Sequence, residues 1–373
     1  MYRIAHIDTA LDFRGGQEQV LQLARGLGQR GHEQLIVCPE GSILEQRAGK
    51  AGLRVFPLPA HDPAHAHGIL LLRRRLLDEP VDIVHAHDGK GQTISWLATH
   101  AMLVRRVATR QVAFLPGKLA GGDFVHRLKY AHTCHGVIAV CDYVKGLLVR
   151  VGVPEARIVV IPVGIEWPEK TPSAELRSSL RAGWGVGDAE FVVGHLGAFT
   201  PEKGQDIAIE AAILLTDKLP NLRILLAGKV TALALSRLAP SLRKASVQVR
   251  LMGYLNPSEL LAGLDLYIMP SRAEGLPHSV LLAMASGLAV VASRVGGLPE
   301  IVNEGRTGWL VPPDSPPALA EAILQAASDQ SLLSQFGACG RALARQYTVD
   351  ALIKRTEAFY ARLVAERDAE RHT

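Results

Sequence analysis

Phe191-Val-Val-Gly-His-Leu196 runs directly into Gly197-Ala-Phe-Thr-Pro-Glu-Lys203-Gly204, and apolar residues at helical spacing resume from Gln205. A short apolar run, then turn-forming Gly, Thr and Pro, then a helical pattern is the signature of a strand feeding a helix through a tight loop. Lys203 stands just before that helix, where the positive end of the helix dipole disfavours a cation. The expected compensation is an anionic partner. A diphosphate would serve, and neutralising a departing phosphate there would be catalytic. A solvated lysine is the plainer alternative.

The same unit recurs on both sides of this stretch. Before it, strands are expected at Tyr2–Thr9, Gln34–Cys38, Arg54–Pro57, Val81–Ala86, Arg106–Thr109, Gly136–Val140 and Ile158–Ile161; with and after it come Phe191–Leu196, Leu222–Ala227, Gln248–Met252, Leu266–Met269, Ala289–Ala292 and Gly308–Val311. Val20, Leu23, Ala24 and Leu27 mark an amphipathic helix between the first two. Strands alternating with helices build a parallel sheet. The fold class is therefore α/β, with two facing Rossmann-like domains, and their ligands are expected in the interdomain cleft, outside the carboxyl ends of the strands. The domains are read as residues 1–165 and 166–348, with a charged helix over 349–373 crossing back to the first. Pro162, Pro168, Pro172 and the Gly183–Gly187 segment suggest a linker over 162–188.

Other loops share the placement of the opening one. Leu11-Asp-Phe-Arg-Gly15-Gly16-Gln-Glu18 leaves the first strand and opens the first helix, so its amides can point at an anion. Pro270-Ser-Arg-Ala-Glu274-Gly275-Leu276-Pro-His-Ser279 follows the Leu266–Met269 strand. There Glu274 would accept from sugar hydroxyls, and the amides of Gly275 and Leu276 would meet phosphate. Gly253 closes the strand near 248–252, and Val295-Gly-Gly-Leu-Pro-Glu300 forms another strand-to-helix loop facing the same cleft. Gly26-Leu-Gly28-Gln-Arg-Gly31 matches GxGxxG but closes a helix instead of opening one, so it reads as a cap and turn.

The histidines are numerous. His85 and His87 in Val84-His-Ala-His-Asp88 share one face of a strand. They are candidates for acceptor binding or proton handling, with a structural role as the alternative. A metal is not expected there, since no third or fourth ligand accompanies them in sequence. His61, His65 and His67, and His132 with Cys134 and His135, lack zinc-finger spacing and read as structural.

Composition narrows the class. The chain has 373 residues, 48% apolar and 21% charged, as a globular protein of two or three domains has. Residues 1–165 carry 20 Lys+Arg against 14 Asp+Glu, a net of +6, while the remainder carries 21 against 22. That asymmetry favours an anionic partner at the first half, such as a phospholipid surface or a phosphorylated acceptor, with ordinary surface variation as the alternative. Arg73-Arg74-Arg75 would be the contact. Nothing points to nucleic acid. The Ser279–Ser293 apolar stretch is too short to span a bilayer, and no signal peptide is expected. Cys38, Cys134, Cys141 and Cys339 are scattered, as expected of reduced thiols in the cytoplasm.

In order along the chain stand Gly15-Gly-Gln-Glu18, Val81-Asp-Ile-Val-His-Ala-His87, Ile161-Pro-Val-Gly-Ile165, Pro201-Glu-Lys-Gly204, Leu226-Ala-Gly228, Glu274-Gly-Leu-Pro277, and Met284–Ala292 with Val295–Glu300. Weak singly and specific together, these make the chain similar to retaining glycosyltransferase family 4, of the GT-B fold, over nearly its full length. The resemblance implies a nucleotide-sugar donor as substrate, held mainly by the second domain, and a glycan or lipid-linked acceptor held by the first. The acceptor would be of polysaccharide or lipopolysaccharide type, and the location the cytoplasm at the inner membrane face. Neither cofactor nor metal is implied, and no Asp-x-Asp is present to clamp one. The catalytic residues would be Lys203, Glu274 and His87. The donor would meet Gly15, Gly16, Gly197, Lys203, Gly253, Glu274, Gly275, Leu276 and Glu300, and the acceptor His85, His87 and Arg110.

Three positions depart from the family pattern. Ala198 replaces a frequent Arg, for which Arg272 or Arg294 would have to substitute. Leu282 stands where the second Glu of Glu-x7-Glu belongs. Arg110 lies in a segment that often carries His. Two rival readings are a non-catalytic glycan- or partner-binding protein and another GT-B enzyme such as a nucleotide-sugar epimerase.

Overall fold

The computed structural model describes residues 1–59, 66–113, 129–168, 172–245 and 248–370. It divides into two units, Met1–Gly164 with Val349–Thr373, and Ile165–Thr348.

The first unit holds a seven-stranded sheet: β1 Arg3–Ile7, β2 Glu33–Pro39, β3 Arg54–Leu58, β4 Ile83–Ala86, β5 Arg105–Arg110, β6 Gly136–Ala139 and β7 Ile158–Val160. Their spatial order is β3-β2-β1-β4-β5-β6-β7 and every pairing is parallel. The second unit holds β8 Phe191–Leu196, β9 Leu222–Ala227, β10 Val249–Gly253, β11 Leu266–Met269, β12 Ala289–Ser293 and β13 Gly308–Val311. Their order is β10-β9-β8-β11-β12-β13, again parallel. Each order is doubly wound, reversing direction once, between β1 and β4 and between β8 and β11. At such a reversal the two neighbouring loops leave in opposite directions and open a crevice at the carboxyl edge. The chemistry-bearing loops after β1, β4, β8 and β11 all fall there.

The inner strands are buried on both faces, which is why they read as near-continuous apolar runs, while the edge strands β3 and β10 are only partly covered. In the second unit Val193, Ile224, Leu226, Ile268 and Val291 pack under the helices Gln205–Leu214 and Pro316–Ser328. The expected apolar stretch after Ser279 resolves into the helix His278–Ala285 and β12, both largely buried.

The helix Val349–Glu370 belongs to the first unit. Leu352, Thr356, Phe359 and Leu363, with Ile353, Tyr360 and Val364, form one buried stripe three and four residues apart. The stripe packs on Ile4, Ile83, Val107 and Ile138 of the sheet and on Leu23 and Leu27 of the helix Gly15–Gln29. Each buried apolar side chain contributes about 1.5–3 kcal/mol, so this helix is a main part of that core. Gly26 is where the two helices approach: a Cβ there would lie 1.9 Å from Ile353 Cδ1. Gly31 takes φ +88° and its amide bonds to Gly28 O at 3.0 Å, ending the helix. The GxGxxG string is thus packing and turn.

One expectation fails. Within the expected linker, Ala174–Gly183 is a helix, capped by Ser173 accepting from the Leu176 amide. Arg181 is buried and donates to Asp265, Gly263 O and Glu190 O, and Arg177 also pairs with Asp265. Although Leu176 and Leu180 stand four apart, the one buried side chain is Arg181, so the segment is anchored by buried charge. His67 lies in the helix Ala66–Asp78, while His61 and His65 fall outside the described residues.

Candidate active site

In the second unit, β8 ends at Leu196 and the chain passes through Gly197 to a short turn at Pro201–Lys203. Gly204 then takes φ +66° and starts the helix Gln205–Leu214; a Cβ there would lie 2.0 Å from Pro270 O. That approach brings the loop after β11 against the loop after β8. Lys203 Nζ lies 2.7 Å from Glu274 Oε1, which also accepts from Ser271 Oγ at 2.7 Å. Glu274 is buried and Lys203 about a quarter exposed. The anion beside Lys203 in this structure is this carboxylate. Both contacts fall on Oε1, and no described residue engages Oε2, which stays available to accept from a ligand.

Two further close approaches shape this edge. A Cβ on Gly296 would sit 1.7 Å from Glu274 O, and one on Gly228 would sit 1.9 Å from Gly197 O. Only glycine lets these backbones meet. The Gly297 amide bonds to Gly275 O at 2.9 Å, tying the loop after β12 to the Glu274 loop. Leu276 is buried beside it. Gly253 ends β10 at φ +63° with open space around it, and its carbonyl accepts from the Gly228 amide at 2.7 Å. Glu300 is half-buried in the short helix Leu298–Ile301.

The two arginines expected to replace a side chain at Ala198 are engaged elsewhere. Arg272 bonds Asp206 through both terminal nitrogens, at 3.0 and 2.6 Å, and Asp314 through Nε at 2.5 Å. Arg294 pairs with Glu304 at 2.9 Å. Leu282 is half-buried, apart from the buried positions Val280, Leu281, Ala283 and Met284 of its helix.

In the first unit, Arg14 N bonds Gln17 Oε1 at 3.0 Å and Gln17 Nε2 reaches both Asp8 oxygens, fixing the loop after β1. A Cβ on Gly16 would lie 2.7 Å from Gln111 Oε1; Gly15 beside it is exposed. Asp88 caps the helix Gly89–Ala98 by accepting from Gly91 N at 2.6 Å, and also accepts from Thr9. Burial, then the Asp88 charge, raises the Asp8 carboxyl to about 6. Arg110 is half-buried and donates to Tyr130 OH and Val112 O, each at 3.2 Å.

The histidines form a cluster larger than expected. Parallel register sets His6 of β1 beside His85 of β4, and the ligand atoms of His6, His85 and His87 lie within 4.8 Å of one another. The third imidazole absent from the local sequence therefore comes from a neighbouring strand. His6 Nδ1 lies 3.0 Å from His87 Nε2, and His6 Nε2 2.9 Å from Gln34 Oε1. Burial drives all three imidazoles toward the neutral form, His6 to about 4. Three neutral imidazoles suit a soft or borderline metal, but here they bond to one another and to Gln34, Thr109 and Tyr360.

His85 corrects an expectation. It is 1% exposed, with Nδ1 2.6 Å from Tyr360 OH and Nε2 2.7 Å from Thr109 Oγ1. Both nitrogens are used inside the core, so it is not an acceptor contact. His87, at 6%, keeps an opening. Sequence reasoning also missed His6 and Gln34, whose only signal was polar residues within apolar strand runs, and Lys129, which donates to Gly89 O.

Comparison with known proteins matches both units. Residues 13–166 fit the family model for Glycosyltransferase Family 4, and residues 190–329 that for Glycosyl transferases group 1. The D-inositol 3-phosphate glycosyltransferase of Mycobacterium tuberculosis is 31% identical over 352 residues, 86% of this chain and 70% of that protein. The GDP-mannose-dependent alpha-(1-6)-phosphatidylinositol monomannoside mannosyltransferase of Mycolicibacterium smegmatis is 29% identical, covering 88% of this chain and 90% of that one. Among solved structures, Anabaena Alr3699/HepE in complex with UDP and glucose superimposes with TM-score 0.87 at 20% identity, over 97% of this chain and all of that one. WaaG, a glycosyltransferase involved in lipopolysaccharide biosynthesis, gives 0.74 at 20% identity, over 95% of this chain and 98% of that one. Two doubly wound parallel sheets, a lysine–glutamate centre at the second reversal and matches across both units have one reading: the chain belongs to glycosyltransferase family 4 and is a GT-B glycosyltransferase.

Proposed function

We propose that the chain moves a sugar from a nucleoside-diphosphate donor to a lipid-linked or polysaccharide-type acceptor, including those of lipopolysaccharide, with retention and without a catalytic metal. The observation that carries this is the Lys203–Glu274 pair at the second unit's strand reversal. Lys203 Nζ neutralises the diphosphate, and Glu274 Oε2 accepts from donor-sugar hydroxyls. As the bond from the anomeric carbon to the phosphate oxygen breaks, charge gathers on that phosphate beside Lys203. The acceptor hydroxyl bonds to the same face of the anomeric carbon, and its proton passes to the departing phosphate. Amides of Gly275 and Leu276 hold the donor, with Gly197, Gly253 and Glu300 beside it. Gly15 and Gly16 reach its phosphates, and His87 and Arg110 hold the acceptor. The Mycolicibacterium relative is named for GDP-mannose and a phosphatidylinositol mannoside, and the Anabaena protein binds UDP and glucose, which supports this donor and acceptor chemistry.

The test offers UDP- and GDP-hexoses with phosphoinositol and lipid-linked acceptors, in EDTA, and reads nucleotide release and product anomer. Release with one donor class, undiminished by EDTA and giving the donor's anomeric configuration, is expected. Inversion, or loss on chelation restored by Mn²⁺ or Mg²⁺, overturns the mechanism.

An anionic membrane surface fits the first unit. Leu70 and Leu77 are 65% and 57% exposed, with exposed Arg74 between them, and Trp96, Leu97 and Leu103 are exposed nearby. Arg73 joins the two segments by donating to Ala98 O and His100 O. Among the described residues no helix is long and apolar enough to cross a membrane, so contact would be interfacial. Sedimentation at low salt should show stronger binding to anionic than to neutral vesicles, and equal binding removes the membrane from this reading.

A further inference from the structure

The transfer step above needs an acceptor hydroxyl correctly held, and the buried contacts behind His87 bear on how. Gln34 of β2, His6 of β1 and His87 after β4 come from three neighbouring strands and touch in sequence, Gln34 Oε1 to His6 Nε2 at 2.9 Å and His6 Nδ1 to His87 Nε2 at 3.0 Å. An amide oxygen only accepts, so His6 Nε2 carries the ring hydrogen. His6 is held neutral by burial, with its pKa down to about 4, so it has no second hydrogen and its Nδ1 accepts. The hydrogen between the two rings then belongs to His87 Nε2. His87 is neutral for the same reason, which leaves its Nδ1 bare. No described residue bonds that Nδ1, and His87 is the most open of the three rings, at 6% against 0% for His6 and 1% for His85.

Gln34 itself is costly to keep. It is 8% exposed and its amide nitrogen is buried without a partner. A buried amide with half its capacity unmet is worse for stability than an apolar side chain of the same shape. Among the described residues its side chain bonds to His6.

We propose that Gln34 and His6 are positioning residues that lock His87 in the Nε2–H form, so that its Nδ1 accepts a hydrogen bond from the acceptor hydroxyl. This rests on the transferase reading above, with His87 on the acceptor side. The relay sets where the hydroxyl proton points before it leaves for the phosphate, and takes no proton itself.

Two-bond proton–nitrogen correlation spectra of the full chain with labelled histidine, at pH 7.5, read the tautomer without any substrate, and His87→Gln assigns the signal. The Nε2–H form is expected in the wild type, and the Nδ1–H form overturns the proposal outright. Gln34→Met removes the accepting oxygen at nearly constant volume. It should mix the tautomers and lower kcat about tenfold with donor KM unchanged, the pattern of a lost transition-state contact. A still-locked tautomer, or a tautomer change at wild-type kcat, overturns the role of Gln34. If Gln34→Met does not fold, the wild-type spectrum alone decides. Failure of the transferase reading looks different: the wild type would then turn over no donor at all.

Discussion

The two strand reversals share one topology and opposite electrostatics. Between β8 and β11 the loops present a formal ion pair, Lys203 with Glu274, at the edge of the sheet. Between β1 and β4 the strands hold three imidazoles kept neutral by burial, with the carboxyls of Asp8 and Asp88 beyond them. The parallel sheet supplies only a crevice, and the side chains at the strand ends decide what it can bind. A fixed cation suits a leaving phosphate, while neutral acceptors suit a hydroxyl whose proton must not be taken too early. The contrast teaches that duplicated architecture need not duplicate chemistry.

The contrast breaks most visibly at Lys203. Lys203→Ala should lower kcat by the equivalent of about 2–4 kcal/mol, with a smaller change in donor affinity, because phosphate charge grows in the transition state. Ser271 still holds Glu274 in the variant, so the loss reports the cation. Steady-state kinetics with the accepted donor measures it, and a wild-type rate would remove Lys203 from the mechanism.

Acid should separate the units next. His6, His135 and His195 fall to about 4 on folding, and His85 and His87 well below their ordinary value. Between pH 6.5 and 4 the unfolded chain therefore binds more protons, and stability falls as pH falls through that window. Asp8, raised to about 6, works in the opposite direction between about 3.8 and 6, as the folded state then binds the extra proton. One carboxyl offsets only part of several imidazoles whose shifts all act the other way. Four of the five histidines lie in the first unit. Hydrogen exchange at pH 5 should show it losing protection before the second, and the reverse order would refute the neutral-imidazole account.

The smallest expected effect sharpens the donor side. Leu282 is half-buried and outside its helix's core stripe. Leu282→Glu should tighten donor Kd by up to about tenfold, near 1.4 kcal/mol, and leave stability within about 0.5 kcal/mol. Calorimetry with the nucleotide decides; unchanged affinity means residue 282 does not face the ribose.

Local pattern was enough for the strands. All thirteen expected runs form strands; for the inner ones the reason is that a strand buried on both faces must be a short apolar run whatever surrounds it. Lys203 was legible as a cation needing an anion, because the helix start that disfavours it is only two residues away. The helix Ala174–Gly183 was not legible, since Arg181 and Asp265 that anchor it lie 84 residues apart. Arg272 and Arg294 looked free for a phosphate because the carboxylates that hold them lie in other elements, Asp206 in the helix Gln205–Leu214 and Glu304 in the loop before β13.

The amino-acid sequence by itself determined two series of parallel strands and the loops that carry Gly15, Lys203 and Glu274, since turn chemistry and side-chain period act over a few residues. Only the tertiary structure decided which polar groups meet. His6 touches His87 across 81 residues, and His85 meets Tyr360 across 275. Strand register and helix docking set those distances, and a hydrogen bond vanishes within an ångström of its optimum. No spacing along the chain encodes that.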